Sequence, residues 1–190
     1  MHILSICGSP RKGNSETILL KLQELLKARD VKNDIILLRK KNINRCLGCV
    51  EYCNHKLACR IEDDMQSIME AMEKADGFIF ISPNYFRMPT GLFKDFIDRC
   101  SLFYTAGKEE QFKKKKAAVI AVGTDSIEYI DECLENMVKR FVEYIGIKVV
   151  AKKSFRSHSE LNGKYDDIFE SGLNPGIEEE LEKIADRLSR

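Results

Sequence analysis

Short runs that are apolar nearly throughout alternate in this chain with longer runs whose apolar residues recur every three or four positions. The short runs are Ile3 to Cys7, Asp34 to Leu38, Gly77 to Ile81, Ala117 to Val122 and Lys148 to Ala151. Such runs suit strands covered on both faces, as in the middle of a parallel sheet. Helical spacing links Ile18, Leu19, Leu22, Leu25 and Leu26 from Ser15 to about Arg29. It returns in Met65, Ile68, Met69 and Met72, with Asp63 or Asp64 placed to cap and an end near Ala75. A third helix, Thr90 to Tyr104, carries Leu92, Phe93, Phe96, Ile97 and Cys100. A fourth carries Tyr129, Ile130, Cys133, Leu134, Met137, Val138 and Phe141. Gly176 to Ser189 is a last amphipathic helix, with Pro175 at its threshold and Glu178 to Glu180 in its first turn. Ser154 to Asn174 is polar and carries no pattern.

Strands alternating with helices predict an α/β fold with a parallel sheet and right-handed crossovers. In such sheets ligands bind beyond the carboxyl ends of the strands, at the switch point of the strand order. Three polar loops stand at such ends: Gly8–Ser15, Ser82–Pro89 and Gly123–Ser126. They are expected to converge on one ligand. Pro83 is expected to stop the third strand.

At 190 residues, one domain spanning 1–190 is the expectation, with a cysteine-rich loop at 45–62. The chain is 44% hydrophobic and 32% charged, and no run approaches a membrane span. Met1-His2-Ile3 leads straight into strand-like sequence, so a cytoplasmic protein without membrane attachment is expected. A net charge of +1 gives no electrostatic reason to expect a nucleic-acid partner. Lys113 to Lys116 reads as a solvated loop.

The stretch from Gly8 to Thr17 reads Gly-Ser-Pro-Arg-Lys-Gly-Asn-Ser-Glu-Thr. A strand running through a small polar loop into a helix points unpaired N–H groups and the helix dipole at one spot, which favours an anion. Ser9, Ser15 and Thr17 add hydroxyls; Arg11 and Lys12 add positive charge. Asn14 stands where a nucleotide-hydrolysing loop needs its lysine, and the Gly-x-Gly-x-x-Gly dinucleotide pattern is missing. The second strand runs into Arg39-Lys40-Lys41, not the acid a ribose would need. A single terminal phosphate, as in FMN, fits the loop best. Tyr85 and Phe86 either pack on the following helix or lie against a planar ring, and their place at a strand end favours the ring. The Gly123 loop could approach its other edge.

The Gly8–Ser15 loop, the cysteine segment running into Asp63-Asp64-Met65, and Ser82-Pro83-Asn84-Tyr85-Phe86 with Lys94-Asp95-Phe96-Ile97-Asp98-Arg99 occur together and in order. Over about residues 1 to 125 the chain thus resembles the NADPH-dependent FMN reductase and iron-sulfur flavoprotein group. The resemblance implies a flavodoxin-like three-layer sandwich with a five-stranded parallel sheet in order 2-1-3-4-5. It also implies bound FMN, NAD(P)H or ferredoxin as electron donor, and a homodimer or homotetramer. By position, Ser9, Arg11, Asn14, Ser15 and Thr17 would hold the phosphate. Pro83, Asn84, Tyr85 and Phe86 would border the ring. Gly123, Thr124 and Asp125 stand where the group often has paired glycines.

Seven cysteines are present, and four of them, Cys46, Cys49, Cys53 and Cys59, fall within fourteen residues. Cys7, Cys100 and Cys133 read as small buried residues. Four thiolates in one loop suit a [4Fe-4S] cluster or a tetrahedral zinc; reduced or disulfide-linked cysteines without metal are the third reading. The iron-sulfur flavoprotein motif places two residues between its second and third cysteines, whereas Val50-Glu51-Tyr52 intervene here. His55 lies inside the loop, as a substitute ligand or a solvated side chain. No Ser/His/Asp arrangement or other protein nucleophile is visible. Three functions are in play: an FMN-dependent oxidoreductase, with or without a cluster; an electron-carrier flavoprotein without its own small-molecule substrate; and a zinc-binding non-redox sensor.

Overall fold

In a computed structural model of the chain, which describes residues 1–157, 173 and 175–190, every apolar run becomes a strand. The order begins with β1 (His2–Cys7), α1 (Asn14–Lys27) and β2 (Lys32–Leu37), and a short helix α2 (Val50–Lys56) follows. Next come α3 (Met65–Lys74), β3 (Gly77–Tyr85), β4 (Met88–Pro89) and α4 (Gly91–Thr105). The chain continues through α5 (Glu109–Phe112), β5 (Lys116–Gly123) and α6 (Ile127–Met137), which widens into a π turn over Val138–Val142. It closes with β6 (Lys148–Arg156) and α7 (Pro175–Ser189).

Five parallel strands lie in the order β2-β1-β3-β5-β6, the arrangement that the resemblance implies. The sixth strand, β4, is a two-residue antiparallel addition to the end of β3. Successive side chains on a strand face opposite ways, so each double-sided strand feeds two cores. Leu4, Ile6, Phe78, Phe80 and Val119 pack on the side of α3, α4 and α6. Ile3, Cys7, Ile79, Ile81 and Ile120 pack on the side of α1 and α7. The three layers of a flavodoxin-like sandwich follow.

The first core is aromatic where it matters for the site. Phe80 of β3 meets Phe93 and Phe96 of α4 with ring centroids 6.4 Å apart, and Phe141 at 5.2 Å. Each fully buried phenylalanine contributes on the order of 1.5–3 kcal/mol. This packing locks α4 against the strand ends, and α4 in turn positions both functional regions.

Several sequence expectations change. Pro83 does not end β3: it stays in register with Val122 of β5. The Ile81 carbonyl faces β1, where it accepts the Gly8 N–H at 2.8 Å. Pro83, two residues on, faces the same way, but β1 has ended by then, so its missing N–H leaves no bond unmade. The cysteine segment is not all loop, since α2 lies inside it. Lys113 and Lys114 are exposed, but Lys115 is only half-exposed; its Nζ donates to the carbonyls of Met72 (2.9 Å) and Glu73 (2.5 Å) at the end of α3. β6 runs five residues past the expected end at Ala151. Apart from β6, Ser157 and Leu173, the expectation for Ser154 to Asn174 lies outside the described residues. No described helix is long and apolar enough to cross a membrane.

Candidate functional site

The three polar loops converge. Gly8 extends β1 by one hydrogen bond and sits so close to α4 that a Cβ there would lie 2.7 Å from Phe93 Cβ. Beyond it, Ser9 Oγ donates to the Arg11 carbonyl (2.7 Å) and accepts the Arg11 N–H (3.4 Å), folding the loop back on itself. Gly13 has φ 153 and ψ −151, a conformation essentially reserved for glycine. Its carbonyl accepts the N–H groups of Glu16 (2.9 Å) and Thr17 (3.1 Å), which starts α1. Arg39 pairs with Glu16 at 2.7 Å, with both side chains mostly buried. The pair offsets a carboxylate that would otherwise oppose an anion in the first turn of α1.

The second loop is tied to the first through α4. Thr90 caps α4 by accepting the Phe93 N–H at 3.3 Å, and its hydroxyl donates to the Gly8 carbonyl at 2.5 Å. Ser82 Oγ accepts the Thr90 N–H (3.1 Å) and donates to the Pro83 carbonyl (3.0 Å). The third loop is held by buried Ser157, whose N–H (2.6 Å) and hydroxyl (3.2 Å) both donate to the Gly123 carbonyl.

Between these loops lies an open pocket of about 540 Å³, its mouth included. Ser9, Arg11, Asn14 and Ser15 form one wall; Pro83, Asn84 and Tyr85 form another; Gly123 and Thr124 form the third. Thus nine of the eleven residues expected at the cofactor line one cavity. Asn84 Oδ1 is buried without a hydrogen-bond partner. A buried acceptor left unpaired costs about 1–3 kcal/mol, so it marks a place for a donor.

Thr17 and Phe86 are not in the wall. Thr17 is half-buried in the first turn of α1. Phe86 is fully exposed at the tip of the β3–β4 hairpin, where Phe86 (φ 51) and Arg87 (φ 63) form the tight left-handed turn. Arg87 anchors that turn on α6, with its guanidinium 3.8 Å from the Tyr129 ring and Nη1 3.2 Å from Glu132. The turn therefore carries Phe86 away from the pocket while Tyr85, one residue earlier, faces it. Gly13, Val122 and Ser157 complete the lining. Gly13 was legible as part of the phosphate loop and Val122 as a strand end; no sequence signal marked Ser157.

The second region is the cysteine segment, whose neck is clasped shut. The Asn42 N–H donates to Asp64 Oδ2 (2.7 Å), and the Asp64 N–H returns to the Asn42 carbonyl (3.1 Å). Deeper in, Asp63 and Arg99 form an ion pair with N···O distances of 2.7 and 3.1 Å, and their side chains are 0% and 1% exposed. Burial alone would raise the Asp63 carboxyl. Hydrogen bonds from Arg99 and from the N–H groups of Asn44 and Met65 outweigh it and hold the group at about 2.

All seven cysteines are free thiols. Burial pushes Cys7 up to about 11, Cys133 up to about 12 and Cys100 well above its ordinary value. These three are inert packing residues, as the sequence suggests. In the loop, the Cys53 thiol is raised by burial first, then by the neighbouring Cys49, with Cys59 and Cys46 adding to it. Four thiols within fourteen residues have the chemistry of a soft, thiolate-held metal centre. Among the described residues, however, no three His, Cys, Asp or Glu side chains already converge as ligands of one ion.

Comparison with known proteins agrees with this geometry. The family model described as NADPH-dependent FMN reductase matches residues 1–160. An iron-sulfur flavoprotein of Archaeoglobus fulgidus is 33% identical over 125 residues, which are 66% of this chain and 63% of that protein. The match thus spans less than two thirds of that relative's length. A second iron-sulfur flavoprotein of the same organism is 30% identical over 198 aligned positions, covering 96% of this chain and 88% of the relative. Among solved structures, an FMN-dependent NADH-azoreductase of Bacillus anthracis in complex with FMN superposes with a TM-score of 0.69. It is 15% identical and covers 100% of both chains, a likeness of fold.

Proposed function

The chain belongs to the NADPH-dependent FMN reductase family, and we propose that it is an FMN-dependent oxidoreductase whose cysteine loop carries an iron-sulfur centre. The single observation that carries the flavin reading is the pocket itself, where three strand-end loops place a phosphate cradle opposite Tyr85 and the unpaired Asn84 Oδ1. When bound, FMN supplies hydride and single-electron chemistry that no side chain of this site offers.

The chain's own contributions are positional. Ser9, Arg11, Asn14 and Ser15 hold the terminal phosphate, helped by the N-terminus of α1. Pro83, Asn84 and Tyr85 border the ring on one edge, with Gly123 and Thr124 on the other. Asn84 Oδ1 accepts a ring N–H, and Ser157 keeps the Gly123 carbonyl occupied so that the third loop stays put. Cys46, Cys49, Cys53 and Cys59 hold the iron-sulfur centre. Four free thiols within fourteen residues support this, as do relatives named iron-sulfur flavoproteins. NAD(P)H is the proposed donor, with ferredoxin the alternative, and a homodimer or homotetramer of single-domain subunits is the proposed assembly.

The test is spectroscopic. Protein purified anaerobically should show flavin absorption with a broad shoulder, and should contain iron and acid-labile sulfide. NADPH or NADH should then bleach the flavin. Absence of a flavin chromophore after reconstitution with FMN ends the oxidoreductase reading. Bleaching by reduced ferredoxin alone makes the protein an electron carrier, and zinc in place of iron ends the cluster assignment.

A further inference from the structure

The amino ends of the strands border a second cavity, at the edge of the sheet opposite the three polar loops. Its volume is about 1170 Å³, mouth included, and its walls carry Lys74, Lys114, Lys115, Lys116 and Arg190 against Glu73 and Asp76. Both acids are engaged: Glu73 pairs with Lys108 at 2.6 Å, and Asp76 accepts the His2 N–H at 2.7 Å. Lys115 is engaged too, on the carbonyls that end α3. Lys116 is different. It opens β5, between Gly77 of β3 and Lys148 of β6. A Cβ on Gly77 would lie 2.9 Å from Ile3 Cδ1 and 3.4 Å from Lys116 Cγ, so the glycine leaves the room in which the lysine stem lies along the sheet. Half-buried by that packing, the Lys116 ammonium has no acceptor among the described residues. Burial alone pushes it down with no acid to offset it, whereas Asp76 and Glu73 act on Lys115. Lys74, Lys114 and Arg190 are exposed around it and make no ion pair among the described residues.

We propose that this cavity binds a small polyphosphate anion, such as pyrophosphate or the diphosphate group of a nucleotide, with Lys116 as its central donor. A half-buried ammonium without a partner costs free energy that a bound anion returns. The number of cations sets the class of ligand. Lys74, Lys114, Lys116 and Arg190 reach the cavity from the end of α3, the α5–β5 link, β5 and the end of α7. Four converging charges answer a multiply charged anion better than a single carboxylate, and charge-assisted bonds to phosphate oxygens are the strong ones. Lys116 is the recessed member of the four, which suits a small anion that enters the cavity better than an acidic protein surface laid across it. The cavity shares no lining residue with the pocket of the three loops, so its occupancy is independent of FMN.

The experiment titrates orthophosphate, pyrophosphate and tripolyphosphate into the full chain by calorimetry at low ionic strength. Affinity should rise along that series, and pyrophosphate should raise the Tm of the wild type. Lys116→Met keeps the buried stem and loses the charge; its affinity for pyrophosphate should fall about 10–100-fold, and the Tm shift should vanish. Lys114→Met, at an exposed position on the rim, should lose only about 2- to 5-fold. Lys113→Met removes the same charge from a lysine that lies outside the cavity and pairs with Glu110, and it should bind as wild type does. Arg11→Met abolishes any second binding event at the phosphate loop and should leave this one intact. If Lys116→Met does not fold, the double variant Lys74→Met with Lys114→Met is held to the same comparison, with an expected loss of about tenfold. Equal losses in Lys116→Met and Lys113→Met overturn the proposal, because they reduce the binding to net charge. Loss confined to Arg11→Met also overturns it, since the anion then sits in the phosphate loop. So does a wild type that binds poly-glutamate and none of the three phosphates, which makes the cavity a docking face for an acidic chain, and so does a wild type that binds no anion.

Discussion

The hydroxyl of Thr90 lies 2.5 Å from the carbonyl oxygen of Gly8, across 82 positions of sequence. One side chain therefore caps α4 and pins the start of the phosphate loop. Thr90→Ala removes the cap and leaves the Gly8 carbonyl without that partner, for a combined cost of about 1–3 kcal/mol. Because the loop's anchor goes too, FMN affinity should fall by about tenfold, while Thr90→Ser should keep both. Denaturant unfolding and quenching of flavin fluorescence measure the two effects. Unchanged FMN binding in a destabilised Thr90→Ala protein would show the tie to be purely structural.

Gly13 gives a sharper test of the phosphate cradle. At φ 153 and ψ −151, any side chain strains the backbone by about 1–3 kcal/mol. Gly13→Ala should therefore reshape the loop at the threshold of α1, where the phosphate is proposed to sit. The expected outcome is a weaker complex with FMN and an unchanged one with riboflavin, which has no phosphate. Equal loss for both ligands would move the phosphate out of this loop.

Asp63 predicts an acid limb of stability. Its carboxyl titrates at about 2 in the folded chain, against an ordinary 3.8. The folded value is the lower one, so the unfolded chain binds more protons between them. The contribution is therefore fully present above about pH 4 and lost as pH falls toward 2, amounting to about 2 kcal/mol. Asp63→Asn leaves the Arg99 charge buried and unpaired, which costs about 3–5 kcal/mol near neutral pH. The gap between wild type and Asp63→Asn should narrow on acidification, measured by urea unfolding at a series of pH values. A gap that stays constant down to pH 2 would contradict the assignment.

The sequence displays the sheet because double-sided apolar strands leave a pattern that polar loops interrupt, and those interruptions are the ligand loops. Pro83 stays in the strand against its sequence signal because its tolerance depends on β1 having ended beside it, which only strand register reveals. α2 leaves no trace in the pattern because it buries none of its residues, so no apolar face records it. The Asp63–Arg99 pair joins residues 36 apart through the packing of α4, and nothing local in either segment encodes it. Ser157 sits in polar surroundings that carry no period, although its two bonds to Gly123 shape the pocket.

Tyr85 and Phe86 are neighbours in sequence and were equal candidates for the ring, yet the structure separates them. Tyr85 lines the pocket at the end of β3, and Phe86 stands fully exposed on the turn that follows. The separation comes from the left-handed backbone at Phe86 and Arg87, held down by the Arg87–Tyr129 stack. If the pocket takes the flavin, Tyr85→Ala removes a contact to the ring, and base–aromatic stacking gives the scale of about 1–3 kcal/mol. FMN affinity should then drop roughly 5- to 150-fold, and the flavin absorption envelope should change with the altered surroundings. Phe86→Ala should change neither quantity, since its side chain touches no wall of the pocket. Arg87→Ala is the informative third variant, because it frees the turn without altering the wall. If Arg87→Ala leaves the spectrum alone, the pocket is rigid without its hairpin anchor. The opposite result from the first pair, with Phe86→Ala disturbing the flavin and Tyr85→Ala silent, would place the ring outside this pocket.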